Sequence, residues 1–192
     1  MGIEQVAIVG SGQMGLGIAQ ICAQAGIAVT MVDVSADALD LAQASIAKSL
    51  DRLVQKETMS EADAAAVLGL IEGAVSEDGD YSALAGADLV IEAVPELPEL
   101  KDTVLNGVAA AVKPDALIVS NTSSISMTKL AAFLPTERRA KFAGLHFFNP
   151  VRGGTGLFPV PATDCGLAGT SSDSQCGRAG RCCAAVCCGR CQ

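Results

Sequence analysis

A glycine-rich turn between two regular segments constrains the fold of this chain more than any other feature. Residues 3–9 form a short apolar run rich in branched side chains, which is typical of a buried strand. The turn G-S-G-Q-M-G follows at residues 10–15, and apolar residues then recur at helical spacing up to Gly26. A second apolar run at residues 27–32 ends at Asp33. This order predicts a strand, a tight turn, a helix and a parallel strand within about 30 residues.

The spacing of the glycines matches the G-x-G-x-x-G fingerprint of dinucleotide-binding turns. Gly10 would allow the tight turn, Gly12 the close approach of a pyrophosphate, and Gly15 the close packing of the helix on the strand. A carboxylate at Asp33, 18 residues after Gly15, would accept hydrogen bonds from ribose hydroxyls and repel a 2′-phosphate. We therefore expect NAD rather than NADP as cofactor. The alternative is a glycine-rich turn followed by a capping aspartate.

The rest of the pattern alternates strands with helices. Ser35 and Ser60 are good N-caps for two helices, which form a helical-pair insertion between the second strand and a third strand at residues 71–75. Further strands are predicted at residues 88–94, 116–120 and 141–148. Further helices are predicted from Pro98 to about Val112 and over residues 127–134. The alternation predicts an α/β fold of the Rossmann type, with a doubly wound, mostly parallel sheet covered by helices on both faces.

Composition excludes several classes of function. The chain has a net charge of −8, so it would repel the phosphate backbone of a nucleic acid. No apolar run reaches the roughly 18 residues that would indicate a membrane span. The N-terminus has neither the basic region nor the small-residue cleavage site of a signal peptide. We therefore expect a cytoplasmic enzyme with a small-molecule substrate, and neither nucleic acid nor membrane as a partner.

A second group of polar residues lies after one of the later predicted strands and within the last one. The segment N-T-S-S at residues 121–124 directly follows a strand, so it is expected at the carboxyl edge of the sheet, where doubly wound folds bind ligands. His146 is the single histidine of the chain. Imidazole titrates near neutrality, which suits a general base that removes a hydroxyl proton while hydride leaves the same carbon. A structural histidine in an apolar segment is the other interpretation, and the residues alone leave both open.

Four segments together resemble the NAD-binding domain of the 3-hydroxyacyl-CoA dehydrogenases, including the 3-hydroxybutyryl-CoA enzymes. The segments are GSGQMGLGIAQ, VIEAVPELPELK, NTSS and GLHFFNP. The same domain occurs in multifunctional fatty-acid oxidation proteins, and the resemblance covers residues 1–151. It implies the reversible oxidation of an (S)-3-hydroxyacyl-CoA to the 3-oxoacyl-CoA with NAD, in β-oxidation or butanoate metabolism.

The resemblance also implies roles for individual residues. His146 would be the catalytic base, and Ser123 would contact the substrate hydroxyl and the nicotinamide. Contacts to CoA map onto Ser49 and Lys56 in the helical insertion. Cofactor contacts are implied at Gly10, Gly12, Gln13, Met14, Gly15, Asp33, Glu96, Lys101, Ser123 and Asn149. Glu96 could instead be a carboxylate at a helix start, and Lys56 a solvated residue at a helix end.

Residues 152–192 differ in character from the first 151. They contain no Lys, no Glu, one Phe, eight Gly and seven of the eight Cys. We predict an NAD-binding domain at 1–151 and a Cys/Gly-rich tail at 152–192 that is disordered or loosely packed. One hypothesis for the tail is a frame change in the gene near codon 152, since shifted leucine codons can become cysteine codons. No metal is expected, because the C-x-x-C at residues 188–191 lacks a second pair at a workable separation.

Two departures from the family leave a second function open. The family has a Glu 12 residues after the histidine, where it orients the imidazole, whereas this chain has Phe158. The family also has a helical C-terminal domain of roughly 100 residues, which closes the acyl pocket and makes the dimer. That domain is not recognisable in the tail. The alternative function is therefore a catalytically inactive NAD-binding fragment or pseudoenzyme.

Overall fold

The computed structural model describes residues 2–147, Val151, and the short segments 158–160 and 187–188. Its parallel strands are β1 (Gln5–Val9), β2 (Ala28–Asp33), β3 (Ile71–Val75), β4 (Leu89–Glu92), β5 (Leu117–Ser120) and β6 (Phe142–His146). Its helices are α1 (Gln13–Gln24), α2 (Ala36–Gln55), α3 (Glu61–Gly69), α4 (Pro98–Ala111), α5 (Met127–Phe133) and α6 (Thr136–Arg139). The strands lie in the order β3-β2-β1-β4-β5-β6, which confirms the predicted doubly wound fold.

The centre of the sheet sets the position of the ligand-binding edge. β1 pairs in parallel with β2 on one side and with β4 on the other, so the strand order reverses there. Val9 lies opposite Val32 on β2 and opposite Glu92 on β4, which brings the carboxyl ends of all three strands level. Doubly wound folds bind their ligands in the crevice outside this edge.

Apolar side chains pack against both faces of the sheet. Ile8 and Met31 belong to a core cluster shared with Ile18 of α1 and Ile46 of α2. The alternate strand residues face the other way and pack with the apolar residues of α4 and α5. Because neighbouring strand residues point to opposite faces, the nearly continuous apolar runs of the sequence are those of a sheet covered on both sides.

Side-chain caps start both helices of the insertion where the sequence predicted them. The Ser35 hydroxyl accepts a hydrogen bond from the Ala38 N–H at 3.2 Å at the start of α2. The Ser60 hydroxyl accepts one from the Asp63 N–H at 3.0 Å at the start of α3. Such caps satisfy N–H groups that have no partner within the helix.

Several short elements were not predicted. They are α6, the single 3₁₀ turns Glu77–Gly79 and Ser82–Leu84, and the strands β7 (Phe158–Val160) and β8 (Cys187–Cys188), which both pair with β6 in the antiparallel sense. These elements have four residues or fewer, too few for a recognisable period. The remainder of 152–192 lies outside the described residues, so the predicted loose packing of the tail stays a prediction.

The predicted strand at residues 88–94 is shorter in the structure and ends at Glu92. Ala93, Val94 and Pro95 leave the sheet and line a cavity at its edge. The apolar character of this stretch therefore reflects both a buried strand and a cavity wall. Among the described helices, none combines the length and apolar character that crossing a membrane would require.

An ion pair between Lys113 and Asp88 lies at the opposite, amino-terminal edge of the sheet. The Lys113 ammonium lies 2.5 Å from Asp88 Oδ1, while Asp88 Oδ2 accepts the N–H groups of Glu4 and Gln5 at 2.9 and 3.0 Å. The hydrogen bond from Lys113, followed by those from Gln5 and Glu4, outweighs the effect of burial. Together they hold the pKa of Asp88 well below its usual range.

We predict that Asp88→Asn removes a pH-dependent part of the stability. The carboxylate contributes fully above the ordinary aspartate pKa of about 3.9, and its contribution is lost as the pH falls below that value. The free energies of unfolding of the two proteins, measured with urea, should therefore differ at about pH 7 and approach each other progressively as the pH falls below about 4. Asp51→Asn, on the exposed side of α2, is the control. A wild-type advantage that stays constant down to about pH 3 would contradict this account.

Candidate cofactor and active site

Close backbone contacts account for two glycines of the turn. Gly10 has a φ of +102°, and a Cβ on it would lie 2.8 Å from the Ala93 carbonyl oxygen. A Cβ on Gly15 would lie 1.8 Å from the Gly10 carbonyl oxygen, so only glycine lets α1 approach β1 this closely. Gly12 differs, because a Cβ there would meet no atom of the described residues within 4 Å. Its side of the turn is open space.

The Asp33 carboxylate is tied to the glycine turn. Asp33 Oδ2 accepts the Ser11 N–H at 2.8 Å and the Ser11 hydroxyl at 2.7 Å. Asp33 Oδ1 accepts the Ser35 N–H at 3.2 Å, at the start of α2. The acidic group at the end of β2 is therefore held in place before any ligand enters. Sequence reasoning did not assign this role to Ser11.

The turn and Asp33 line a cavity of about 990 Å³ at the carboxyl edge of the sheet. Gln13, Met14, Val94 and Leu100 also line it. Its volume lies at the upper end of the range typical of small-molecule and cofactor pockets. Val34 and Leu41 form part of the same lining and are 77% and 70% exposed, so apolar surface faces the opening.

A second cleft of about 260 Å³ brings together the two predicted catalytic residues. Ser123 follows β5, His146 ends β6, and both line this cleft. Asn121 fixes the two segments relative to each other, since its Oδ1 accepts the Phe147 N–H at 2.9 Å. The Asn121 N–H in turn donates to the Glu92 carbonyl at 2.8 Å, which extends the connection to β4.

Glu96 connects the loop after β4 to the cleft. Its Oε1 accepts the Ser123 N–H at 2.7 Å and the Ser123 hydroxyl at 3.3 Å, and its Oε2 accepts the Thr122 hydroxyl at 2.9 Å. Burial alone would raise the pKa of Glu96. The hydrogen bonds from Ser123 and Thr122, with the positive charge of Lys101, outweigh burial and lower this pKa. Glu96 therefore contacts Ser123 directly, which the sequence did not predict.

A buried ion pair lies between β4 and α4. The Lys101 ammonium is 2.6 Å from Glu92 Oε1, and the two side chains are 1% and 0% exposed. Lys101, predicted to contact the cofactor, thus points into the protein. Glu92 is not among the predicted site residues, because it stands in an apolar run whose pattern predicts a buried strand. The signal was a carboxylate at the end of that strand with a lysine nine residues later.

The predicted CoA contacts lie on α2. Ser49 is buried, and Lys56 is the exposed residue that ends the helix about 10 Å further along its axis. The described lining of the cavity and of the cleft includes neither residue. Asn149 lies outside the described residues, so its predicted cofactor contact is not described. Within the described part of the chain, no group of three or more His, Cys, Asp or Glu residues could hold a metal ion.

The strand pairing also places the residue that departs from the family pattern. Phe158 of β7 is the direct partner of His146 of β6 in the antiparallel register. The position at which the family has its orienting Glu therefore lies across from the histidine on the neighbouring strand.

Comparison with known proteins identifies the family of this chain. Residues 5–153 match the family described as 3-hydroxyacyl-CoA dehydrogenase, NAD binding domain. The chain is 43% identical to a 3-hydroxybutyryl-CoA dehydrogenase of Bradyrhizobium diazoefficiens, over 78% of this chain and 49% of that protein. It is 40% identical to the fatty acid oxidation complex subunit alpha of a Psychrobacter species, over 78% of this chain and 20% of that subunit.

Solved structures give the same result. The crystal structure of (S)-3-hydroxybutyryl-CoA dehydrogenase from Ralstonia eutropha superposes with a TM-score of 0.76 and 46% identity, over 81% of this chain and 53% of that one. The chain thus belongs to the 3-hydroxyacyl-CoA dehydrogenase family through its NAD-binding domain. It spans about half the length of the 3-hydroxybutyryl-CoA dehydrogenases that it matches.

We predict that alanine substitutions at two glycines of the turn have different effects on the free energy of unfolding and on NADH affinity. Gly12→Ala places a methyl group in open space, so the free energy of unfolding should change by less than about 1 kcal/mol while affinity for NADH falls. Gly15→Ala is the matched variant and should cost about 3 kcal/mol, the upper end of the usual cost of overpacking, because its Cβ overlaps the Gly10 carbonyl. Urea unfolding and calorimetric titration with NADH measure the two effects. Unchanged NADH affinity in Gly12→Ala would contradict the prediction.

Proposed function

We propose that this chain binds NAD(H) and interconverts (S)-3-hydroxyacyl-CoA and 3-oxoacyl-CoA. One observation carries the proposal: Ser123 and His146 line one cleft, at the same sheet edge as the cavity formed by the glycine turn and Asp33. Membership of the 3-hydroxyacyl-CoA dehydrogenase family supports this assignment, since an acyl-CoA substrate is what the relatives' names imply.

The residues around the glycine turn fit a dinucleotide. The open space beside Gly12 leaves room for a pyrophosphate against the backbone of Gln13 and Met14, at the N-terminus of α1. The Asp33 carboxylate is suited to ribose hydroxyls and repels a 2′-phosphate, which favours NAD over NADP. When bound, NAD⁺ would supply the hydride acceptor of the oxidation.

The remaining chemistry falls to side chains of the cleft. His146 would take the proton of the substrate hydroxyl, a step in which a positioned base typically contributes about 10²–10⁴ in rate. Ser123 would hydrogen-bond the same substrate oxygen, while Glu96 holds the Ser123 backbone and hydroxyl. Lys56, at the end of α2, would attract the polyanionic CoA by its charge. Ser49, on the same helix, would be the second CoA contact.

A second candidate function is NAD binding without catalysis. Phe158 stands across from His146, where the family has a Glu that orients the imidazole. Phenylalanine carries no carboxylate, and by analogy with the orienting Asp of a Ser-His-Asp triad the replacement of an orienting carboxylate can cost roughly 10⁴ in rate. This departure favours a cofactor-binding protein that has lost turnover.

We predict acetoacetyl-CoA-dependent oxidation of NADH by the purified chain, measured by absorbance. His146→Gln should lower kcat by at least about 100-fold and leave NADH affinity unchanged, because the imidazole acts on the substrate proton. Lys56→Gln should raise the KM for acetoacetyl-CoA, and Lys48→Gln, exposed on the same helix, should not. NADH binding without turnover would instead support the second candidate function.

A further inference from the structure

The buried Glu92–Lys101 pair has a position that stability alone does not explain. Its two side chains are essentially inaccessible, and their charged atoms are 2.6 Å apart. A buried ion pair loses hydration on folding, and well-packed apolar residues in its place are often neutral or stabilising. A role in setting geometry is therefore worth testing at this site, because the pair lies directly beneath the loop that leads to the cleft.

The Glu92 carboxylate anchors the pair at the ends of two strands. Besides the Lys101 ammonium, its Oε1 accepts the Val94 N–H at 2.8 Å, and its Oε2 accepts the Ser120 hydroxyl at 2.5 Å. Ser120 is the last residue of β5, immediately before the segment that contains Ser123. Glu92 therefore holds Lys101 at a fixed point between β4, β5 and α4.

From that point the Lys101 ammonium reaches two groups of the loop after β4. It donates to the Val94 carbonyl at 3.3 Å and lies 3.7 Å from Glu96 Oε2. Because Glu92 holds the ammonium more closely, the Glu96 carboxylate keeps its hydrogen bonds with Thr122 and Ser123. The ammonium thus donates hydrogen bonds to Glu92 and Val94 and attracts the Glu96 carboxylate by its charge.

We propose that Glu92 is a positioning residue for the cleft: through Lys101 it places Glu96, and through Glu96 it places the Ser123 hydroxyl. Lys101 then acts from within the protein, where it supports Val94 and Glu96. The predicted effect of Glu92 on cofactor affinity rests on the proposed function. Its predicted effect on the position of Glu96 does not.

Two variants of the full-length protein test whether Glu92 places Glu96 through Lys101. Glu92→Gln leaves the Lys101 charge unshared, so the pKa of Glu96 should fall further. Glu92→Gln/Lys101→Met removes both buried charges and so avoids an unpaired ion, and the pKa of Glu96 should rise because its ammonium neighbour is gone. Glutamate labelled with ¹³C at the carboxyl carbon reports this titration by NMR, with Glu96→Gln assigning the signal.

Two control variants test whether other charged groups contribute to the Glu96 titration. His146 lines the same cleft as Ser123, so the titrations are repeated with His146→Gln to exclude a contribution from the imidazole. Lys113→Met breaks the ion pair at the opposite edge of the sheet. It should lower stability without changing the Glu96 titration, which separates positioning from a general loss of stability.

NADH affinity provides the second readout. Both Glu92 variants should bind NADH at least about fivefold more weakly, on the scale of one misplaced hydrogen bond, and Lys113→Met should not. An unchanged Glu96 pKa in both folded Glu92 variants overturns the proposal, as does unchanged NADH affinity when the wild type binds NADH. If the wild type does not bind NADH, the proposed function fails, and the Glu96 titration alone decides the positioning role.

Discussion

The close approach of α1 to β1 is the constraint on which the rest of this structure depends. It requires glycine at two positions, since a Cβ on Gly15 would overlap the Gly10 carbonyl and a Cβ on Gly10 would press against the Ala93 carbonyl. The turn therefore contacts the loop after β4 directly. Through Ser11 it also holds the Asp33 carboxylate at the end of β2. One tight turn thus brings the carboxyl ends of three strands into a single ligand-binding edge.

Local chemistry was sufficient to predict most of the fold. Branched apolar runs indicated the strands, and the serine caps of α2 and α3 indicated where those helices begin. The parts that could not be predicted depend on partners distant in sequence or on very short segments. β7 has three residues and is a strand only through its pairing with β6, so it has no period of its own. The same applies to α6, a single turn.

The candidate site was predictable as a set of residues but not as a set of contacts. The strand order explains why Ser123 and His146, 23 residues apart in sequence, line one cleft. Sequence patterns do not show which way a long side chain turns, and Lys101 turns inward to a carboxylate that was hidden in an apolar strand. Glu96, predicted as a cofactor contact, is bonded to the loop that carries Ser123. The contacts of the site therefore join side chains and backbone groups from different strands and loops.

Calorimetric titration of the purified chain with NADH and, separately, with NADPH tests the central claim most directly. The account places a fixed carboxylate, Asp33, beside an open glycine turn in a cavity of about 990 Å³. It predicts that NADH binds and that NADPH binds about tenfold more weakly or worse, because Asp33 repels the 2′-phosphate. Equal affinity for the two cofactors, or no binding of NADH, would contradict it.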